Sequence, residues 1–233
     1  AESAGGDPAT ADDPDRAVVH VSSGKDHEQI GHAYSLNFNH QNAGSFETVA
    51  GQSEIVAGQL HLVPEAGGIA LAVMDNEALP ERTATRVYTT VRADSLPNRY
   101  QNGFIVFDYQ SPDDFKYAGA WAGADRWAIG QVVDGELVDV ATLDEVIKEG
   151  PAYELQVWME ENTLTFLVEG QQKLSHTFDA PVDDGRIGVA TNNARSRFDQ
   201  VAVMQLHGGS GDVGIEHADP SGKSNDAALA ELF

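Results

Sequence analysis

The residues of this chain best suited to chemistry are aromatic. Two of its three tryptophans lie six residues apart in FKYAGAWAGADRWAIG, residues 115–130, among glycines and alanines. Alternate side chains of a β-strand share a face, so Phe115, Tyr117 and Trp121 point to one side, and Trp127 begins the next strand. Such a row either packs in the core of a β-sandwich or presents flat rings on which the apolar C–H faces of a sugar stack. Both interpretations stay open at the level of sequence.

Polar side chains beside these rings would supply hydrogen bonds to sugar hydroxyls. Trp121 immediately precedes the loop AGAD, and Asp125 and Arg126 lie at the end of that loop. This position makes Trp121 the best single candidate for stacking against a ligand. The full set of predicted ligand-binding residues is Tyr109, Tyr117, Trp121, Asp125, Arg126 and Trp127.

Patterns typical of catalysis are missing from the sequence. It contains no G-x-S-x-G nucleophile turn, no H-E-x-x-H helix and no phosphate-binding loop. The absence of cysteine excludes disulfides, thiolate zinc sites and thiol nucleophiles. Glycoside hydrolysis uses two carboxyl groups that flank the scissile bond, and Asp108 and Glu160, on separate strands, are the available pair. We assign no catalytic residue, and a sugar-active hydrolase stays an alternative function.

The charge balance restricts the possible partners. The chain has 37 acidic and 14 basic residues, a formal net charge of −23. Phosphate binding requires a basic surface, so we expect no nucleic-acid partner. No apolar run approaches the ~20 residues of a membrane-spanning helix, so we also expect no membrane insertion.

The elements that must position these residues are β-strands. Short β-branched or aromatic runs are separated by Gly, Pro, Asn and Asp, with tight hairpins predicted at Glu161–Asn162 and at Gly170. Only DEVIKEG, residues 144–150, has a helical pattern. About a dozen strands without alternating helices indicate an all-β, antiparallel two-sheet β-sandwich. The predicted strands are 33–38, 58–63, 69–74, 85–93, 103–109, 115–121, 126–133, 153–160, 163–169, 172–178, 185–191 and 198–206.

The chain divides into one domain and two tails. Residues 1–16 are rich in Ala, Gly, Pro and Asp, which predicts a disordered acidic leader. Residues 17–206 form the predicted β-sandwich domain, whose length suits a single unit. Residues 207–233 read as a glycine-rich linker followed by a short helical tail. Both tails are consistent with connections to neighbouring domains of a larger surface protein.

Four segments resemble concanavalin A-like jelly-roll domains, the family of lectins, laminin-G-like modules and glucanases. SFETVAGQSEIVAGQLHLVPEAGGIALAVM is similar to their opening hairpin, NGFIVFDYQSPDDFKYAGAWAGADRWAIGQVVDGE to their middle hairpins, and YELQVWMEENTLTFLVEGQQKL with DGRIGVATNNARSRFDQVAV to their closing strands. The resemblance spans roughly residues 30 to 206. It implies a jelly roll, and it does not specify an activity, because the fold hosts many functions.

The resemblance also implies a metal ion and a location. Jelly-roll modules of this kind often hold a structural Ca²⁺ where the first strand passes the last, which here selects Asn37, Asn39 and Asp199. Glucanases of this fold carry an E-x-D-x-E strand, and this sequence has none. We therefore expect a non-catalytic, calcium-stabilised carbohydrate-binding module that binds a glycan or polysaccharide in an extracellular or cell-surface protein. The alternative is a structural or adhesion spacer domain.

Overall fold

A computed structural model describes residues 16–23, 27–38, 46–65, 68–74, 84–93, 101–148, 150–182 and 185–206. Within these residues sixteen β-strands form two sheets, one of nine strands and one of seven, and every strand pair is antiparallel. The predicted all-β sandwich is confirmed. The leader up to residue 15 and the tail from residue 207 lie outside the described residues, and Arg16 begins the first strand.

The nine-stranded sheet has the order β1-β2-β16-β7-β12-β13-β14, with β5 paired to β16 and β4 paired to β5. Its strands are β1 (Arg16–Ser23), β2 (His27–Asn37), β4 (Gln52–Val56), β5 (Gln59–Val63), β7 (Ala84–Ala93), β12 (Tyr153–Glu160), β13 (Thr163–Val168), β14 (Gln171–Thr177) and β16 (Ser196–Leu206).

The seven-stranded sheet has the order β11-β10-β9-β8-β15-β6-β3. Its strands are β3 (Phe46–Ala50), β6 (Ile69–Met74), β8 (Gly103–Ser111), β9 (Asp114–Trp121), β10 (Arg126–Val133), β11 (Glu136–Asp144) and β15 (Arg186–Asn192). A single 3-10 turn, Ala122–Ala124, joins β9 to β10.

Two-residue turns set the register of several hairpins. Glu160 pairs with Thr163 and Val168 pairs with Gln171, which confirms both predicted hairpins. In the second turn Glu169 and Gly170 have φ of 51° and 70°, the left-handed backbone that such turns require. The helix predicted for residues 144–150 is wrong, since β11 runs to Asp144 and residues 145–148 have no regular structure.

Both faces of the seven-stranded sheet are buried along its central strand β8. On β8 the alternating pair Ile105 and Phe107 joins the main core between the two sheets. The other pair, Phe104 and Val106, belongs to a second apolar cluster on the opposite face, which we call the outer cluster. All four side chains are fully buried. The outer cluster holds most of the aromatic residues that the sequence analysis selects.

Candidate functional site

The centre of the candidate site is a carboxylate shared by two aromatic side chains. The Tyr117 hydroxyl and the Trp121 indole N–H both donate to Oδ1 of Asp139, at 2.7 Å and 3.0 Å. Tyr117 and Trp121 lie on one face of β9, as the period of two predicts, and Asp139 lies on β11, two strands away. Burial, then the hydrogen bond to Asp139, raises the pKa of the Tyr117 hydroxyl well above its ordinary value.

Close packing fixes the two rings. Phe104 meets Tyr117 and Trp121 edge to face, with ring centroids 5.1 Å and 4.7 Å apart. Gly130 lies directly against the Tyr117 ring, since a Cβ at this position would be 2.2 Å from Cζ of Tyr117. Tyr117 is therefore fully buried, whereas Trp121, at the end of the strand, is half-buried.

A charged pair continues the row from Trp121 to the sheet edge. Arg126, on β10, lies opposite Trp121 of β9 on one side and opposite Asp144 of β11 on the other. Its Nε donates to Oδ1 of Asp144 at 3.0 Å, and one terminal nitrogen is 3.9 Å from Asp139. The Asp144 side chain is 79% exposed and that of Arg126 41%, so this pair faces solvent beside the indole. We call Trp121, Arg126, Asp139 and Asp144 the Trp121 surface.

Asp125 holds the loop beside this surface in place. Its backbone has φ 50° and closes the turn after Ala122–Ala124. Its Oδ1 accepts the backbone N–H of Ile147 at 2.9 Å, and its backbone carbonyl accepts that of Glu145 at 2.9 Å. Asp125 thus connects the β9–β10 turn to the segment after β11. The sequence analysis predicts Asp125 as a ligand contact, and its carboxylate already has this structural partner.

Trp127 points into the main core. It is 2% exposed, its indole N–H donates to Glu145 at 2.8 Å, and its ring meets Tyr153 edge to face at 5.6 Å. Tyr117 is likewise 0% exposed. The rings of Trp127 and Tyr117 therefore present no surface to a ligand, although the sequence analysis selects both.

Tyr109 lies at the far end of the outer cluster. It occupies β8 opposite Arg186 of β15, and the Arg186 guanidinium lies 5.9 Å from its ring centroid. Arg186 also donates to the carboxylate of Glu47 at 2.7 Å and to the carbonyl of Met74 at 2.9 Å. Tyr109 and Trp121 therefore belong to opposite ends of the sheet, and the structure does not bring them together.

The proposed metal ligands are placed only in part. Asn37 ends β2 and pairs with Gln200 of β16, so its backbone lies beside that of Asp199. Asp199 is exposed and lies at an irregularity in the pairing of β16 with β7. Asn39 lies outside the described residues. Among the residues with described side chains, no three His, Asp or Glu side chains are grouped in a way that fits a metal ion.

Asp108 and Glu160 belong to different sheets. Asp108 lies in an irregular part of β8 with φ 49°, is 5% exposed and is ion-paired with Lys116. Glu160 is exposed at the end of β12. A buried, paired carboxylate is poorly placed to protonate a leaving group in solvent.

Sequence reasoning missed Asp139 and Asp144, because β11 was not among the predicted strands. Its sequence ELVDVATLD has the required alternation in part, with Val138 and Val140 separated by Asp139. That alternation is the signal that would have placed both carboxylates on a strand.

Comparison with known proteins supports the fold. No protein-family profile and no curated protein sequence matches the chain. In structure it is similar to a carbohydrate-binding module of Bacillus subtilis, CBM66, with 13% identity over 66% of this chain and 92% of that one and a TM-score of 0.58. A Bacillus subtilis protein of unknown function with a galectin-like fold has 12% identity, coverage of 74% and 95%, and a TM-score of 0.56.

A third similar structure is a prokaryotic β-1,3-1,4-glucanase, a lichenase, from a mouse hindgut metagenome, with 13% identity, coverage of 73% and 98%, and a TM-score of 0.54. The chain has a galectin-like jelly-roll fold. This is the architecture of the concanavalin A-like proteins named above. At these identities the likeness concerns the fold alone.

Within the described residues, no helix has the length and apolar character needed to span a bilayer.

Proposed function

We propose that this protein is a carbohydrate-binding module and that the Trp121 surface is its binding site. The observation that carries the proposal is the state of Trp121, a half-buried indole whose N–H is held by Asp139 and whose neighbours are the half-buried Arg126 and the exposed Asp144. The similar folds of a carbohydrate-binding module and of a galectin-like protein support it.

Preorganisation favours binding at this surface. Phe104 packs against the indole edge to face, and the hydrogen bond to Asp139 fixes the rotation of the ring. A ligand that stacks on a ring already held in place loses little side-chain entropy on binding. Stacking against sugar C–H groups needs such a flat, immobile face.

The polar groups favour a neutral glycan. Sugar hydroxyls both donate and accept, and the Arg126–Asp144 pair offers donors and acceptors side by side. The two carboxylates, Asp139 and Asp144, flank the single guanidinium and repel an anionic ligand.

The test is a glycan array with wild-type protein and three variants. Trp121→Ala and Arg126→Ala are expected to lose binding to neutral glycans by at least tenfold. Val146→Ala, which trims an apolar side chain that is 78% exposed in the adjoining segment, is the matched control and should bind as wild type does. A wild-type protein silent on every neutral glycan, or a Trp121→Ala variant that binds normally, would contradict the proposal.

Two alternative functions predict different results. A structural or adhesion spacer predicts a folded protein that binds no glycan. A hydrolase predicts release of reducing sugar that is abolished in Asp108→Asn or Glu160→Gln. The structural likeness to a lichenase is the observation that supports this alternative.

Calcium and an extracellular or cell-surface location belong to the proposal as further expectations. The strand register places Asn37 beside Asp199, which supports a calcium site where β2 passes β16. A rise in melting temperature with added Ca²⁺, reversed by EDTA and absent in Asp199→Ala, would support it. An unchanged melting temperature on addition of Ca²⁺ would contradict a calcium site.

A further inference from the structure

The outer face of the nine-stranded sheet carries a row of side chains that the Trp121 surface does not use. On β7 the residues Thr85, Val87, Thr89 and Val91 are buried toward the core. The alternate residues are all half-buried on the opposite face, and they are Arg86, Tyr88, Thr90 and Arg92. We call these four residues the β7 row. The row begins and ends with arginine in a chain that has 14 basic and 37 acidic residues.

The guanidinium of Arg86 lies over a tryptophan ring. Arg86 lies opposite Trp158 of β12, and its guanidinium carbon is 4.3 Å from the centroid of that ring. Stacking of this kind fixes the plane of the guanidinium while its N–H edges stay available as a fork for an oxyanion. No carboxylate among the described residues is ion-paired with Arg86.

The other end of the row is Arg92, which lies opposite Arg197 of β16. The Nε–H of Arg92 is buried without a hydrogen-bond acceptor, and so is the indole N–H of Trp158. No carboxylate among the described residues is ion-paired with Arg92 either.

Tyr88 and Thr90, the two residues of the row between the arginines, are uncharged. Tyr88 lies opposite Ala202 on one side and Gln156 on the other. The carboxylate nearest in register is that of Glu154, opposite Thr90, and it accepts a hydrogen bond from the Gln156 amide. Arg86 and Arg92 are six residues apart, which is roughly 20 Å along a strand.

We propose that the β7 row is a second binding site, for an anionic polysaccharide whose carboxylate or sulfate groups bind Arg86 and Arg92. β7 is paired on both sides, with β12 and β16, so a peptide cannot add to it as a strand and would have no main-chain hydrogen bonds there. Recognition must use side-chain forks and rings, which suits a charged glycan chain. This site does not depend on the neutral-glycan site and can be tested separately from it.

The test is titration of the purified protein with polygalacturonate, dextran sulfate, neutral dextran and polyglutamate at low and moderate salt. We expect binding to the two anionic polysaccharides, weakening as salt rises. The variant with both Arg86→Gln and Arg92→Gln should lose at least tenfold, whereas Trp121→Ala should bind them as wild type does. Arg86→Lys with Arg92→Lys keeps the charge without the stacked fork and should lose several-fold.

Three results would overturn the proposal. They are no binding of either anionic polysaccharide, equal binding by the Gln variant and wild type, and polyglutamate binding as tight as that of polygalacturonate. The last result would indicate an acidic protein partner. If Trp121→Ala loses binding of neutral glycans and keeps binding of anionic polysaccharides, the two binding sites are independent of each other.

Discussion

The indole of Trp121 donates its N–H to Asp139 at 3.0 Å across two strands of the seven-stranded sheet. The oxygen that accepts it also accepts the hydroxyl of Tyr117, which is fully buried. One carboxylate on the edge strand β11 therefore determines where the half-buried indole points. The orientation of the proposed sugar platform depends on this hydrogen bond.

Replacing Asp139 should damage both stability and binding. In Asp139→Ala the buried Tyr117 hydroxyl loses its acceptor, which costs about 1–3 kcal/mol of unfolding free energy. The indole also loses its anchor, so affinity for a neutral glycan should fall. Urea unfolding and glycan titration measure the two effects. Asp144→Ala, at a carboxylate that is 79% exposed, is the control for stability and should change it by less than about 1 kcal/mol. Unchanged stability in Asp139→Ala would contradict this role.

Alkaline pH should unfold the protein through Tyr117. Burial and the Asp139 hydrogen bond raise the pKa of this hydroxyl, so the folded state holds the proton more tightly than the unfolded state. The resulting stability is present below about pH 10, the ordinary pKa of tyrosine, and is lost as pH rises above it. Unfolding free energy measured from pH 8 to 11 should fall more steeply in wild type than in Tyr117→Phe. Parallel curves would show that Tyr117 does not titrate with unfolding.

Acid should weaken the contacts of Glu145. Hydrogen bonds from Lys173 and then Trp127 lower the pKa of this carboxyl below its ordinary value of 4.5. A lowered pKa contributes stability that is present above about pH 4.5 and is lost as pH falls through the folded-state pKa. Lys173→Gln removes the larger cause, so its stability should vary less with pH between 5 and about 3 than that of wild type. Thermal melts across this range measure the difference, and identical pH dependence would argue against it.

Gly130 should not tolerate a side chain. A Cβ there would be 2.2 Å from the Tyr117 ring, so Gly130→Ala must displace the ring that shares Asp139 with Trp121. Overpacking of this kind costs about 1–3 kcal/mol. Gly68→Ala is the control, because its Cβ would meet nothing closer than 3.6 Å. Equal melting temperatures for the two variants would show that the Tyr117 ring has room to move.

The fold was accessible from sequence because short β-branched or aromatic runs are separated by Gly, Pro, Asn and Asp turn residues. β6, β10 and β12 begin and end where the pattern predicts. β11 was missed because an edge strand with several half-exposed residues has weak alternation. Asp139 and Asp144 lie on this strand, so they were not predicted as site residues either. Asp144 lies opposite Arg126 and Asp139 opposite Gly130, and the pairing has an irregularity between Ile129 and Gly130 that no local pattern reveals.

Some features of the site residues could likewise be predicted from the sequence, and others could not. Alternation correctly placed Tyr117 and Trp121 on one face of β9, but it did not show that Trp127 on the next strand packs in the main core. It did not tell which ring reaches solvent, because the exposure of Trp121 depends on its place at the end of a strand. The partner of Asp125 was equally out of reach, since the segment at Ile147 approaches it only in the folded protein.

The most direct test of glycan recognition is an NMR titration that follows the indole N–H signals of the three tryptophans, assigned with Trp→Phe variants. If the Trp121 surface binds sugar, a neutral glycan will shift the Trp121 signal in proportion to saturation and leave the Trp127 signal in place. A glycan that binds without moving the Trp121 signal, or a Trp121 signal that no neutral glycan moves, would contradict the account.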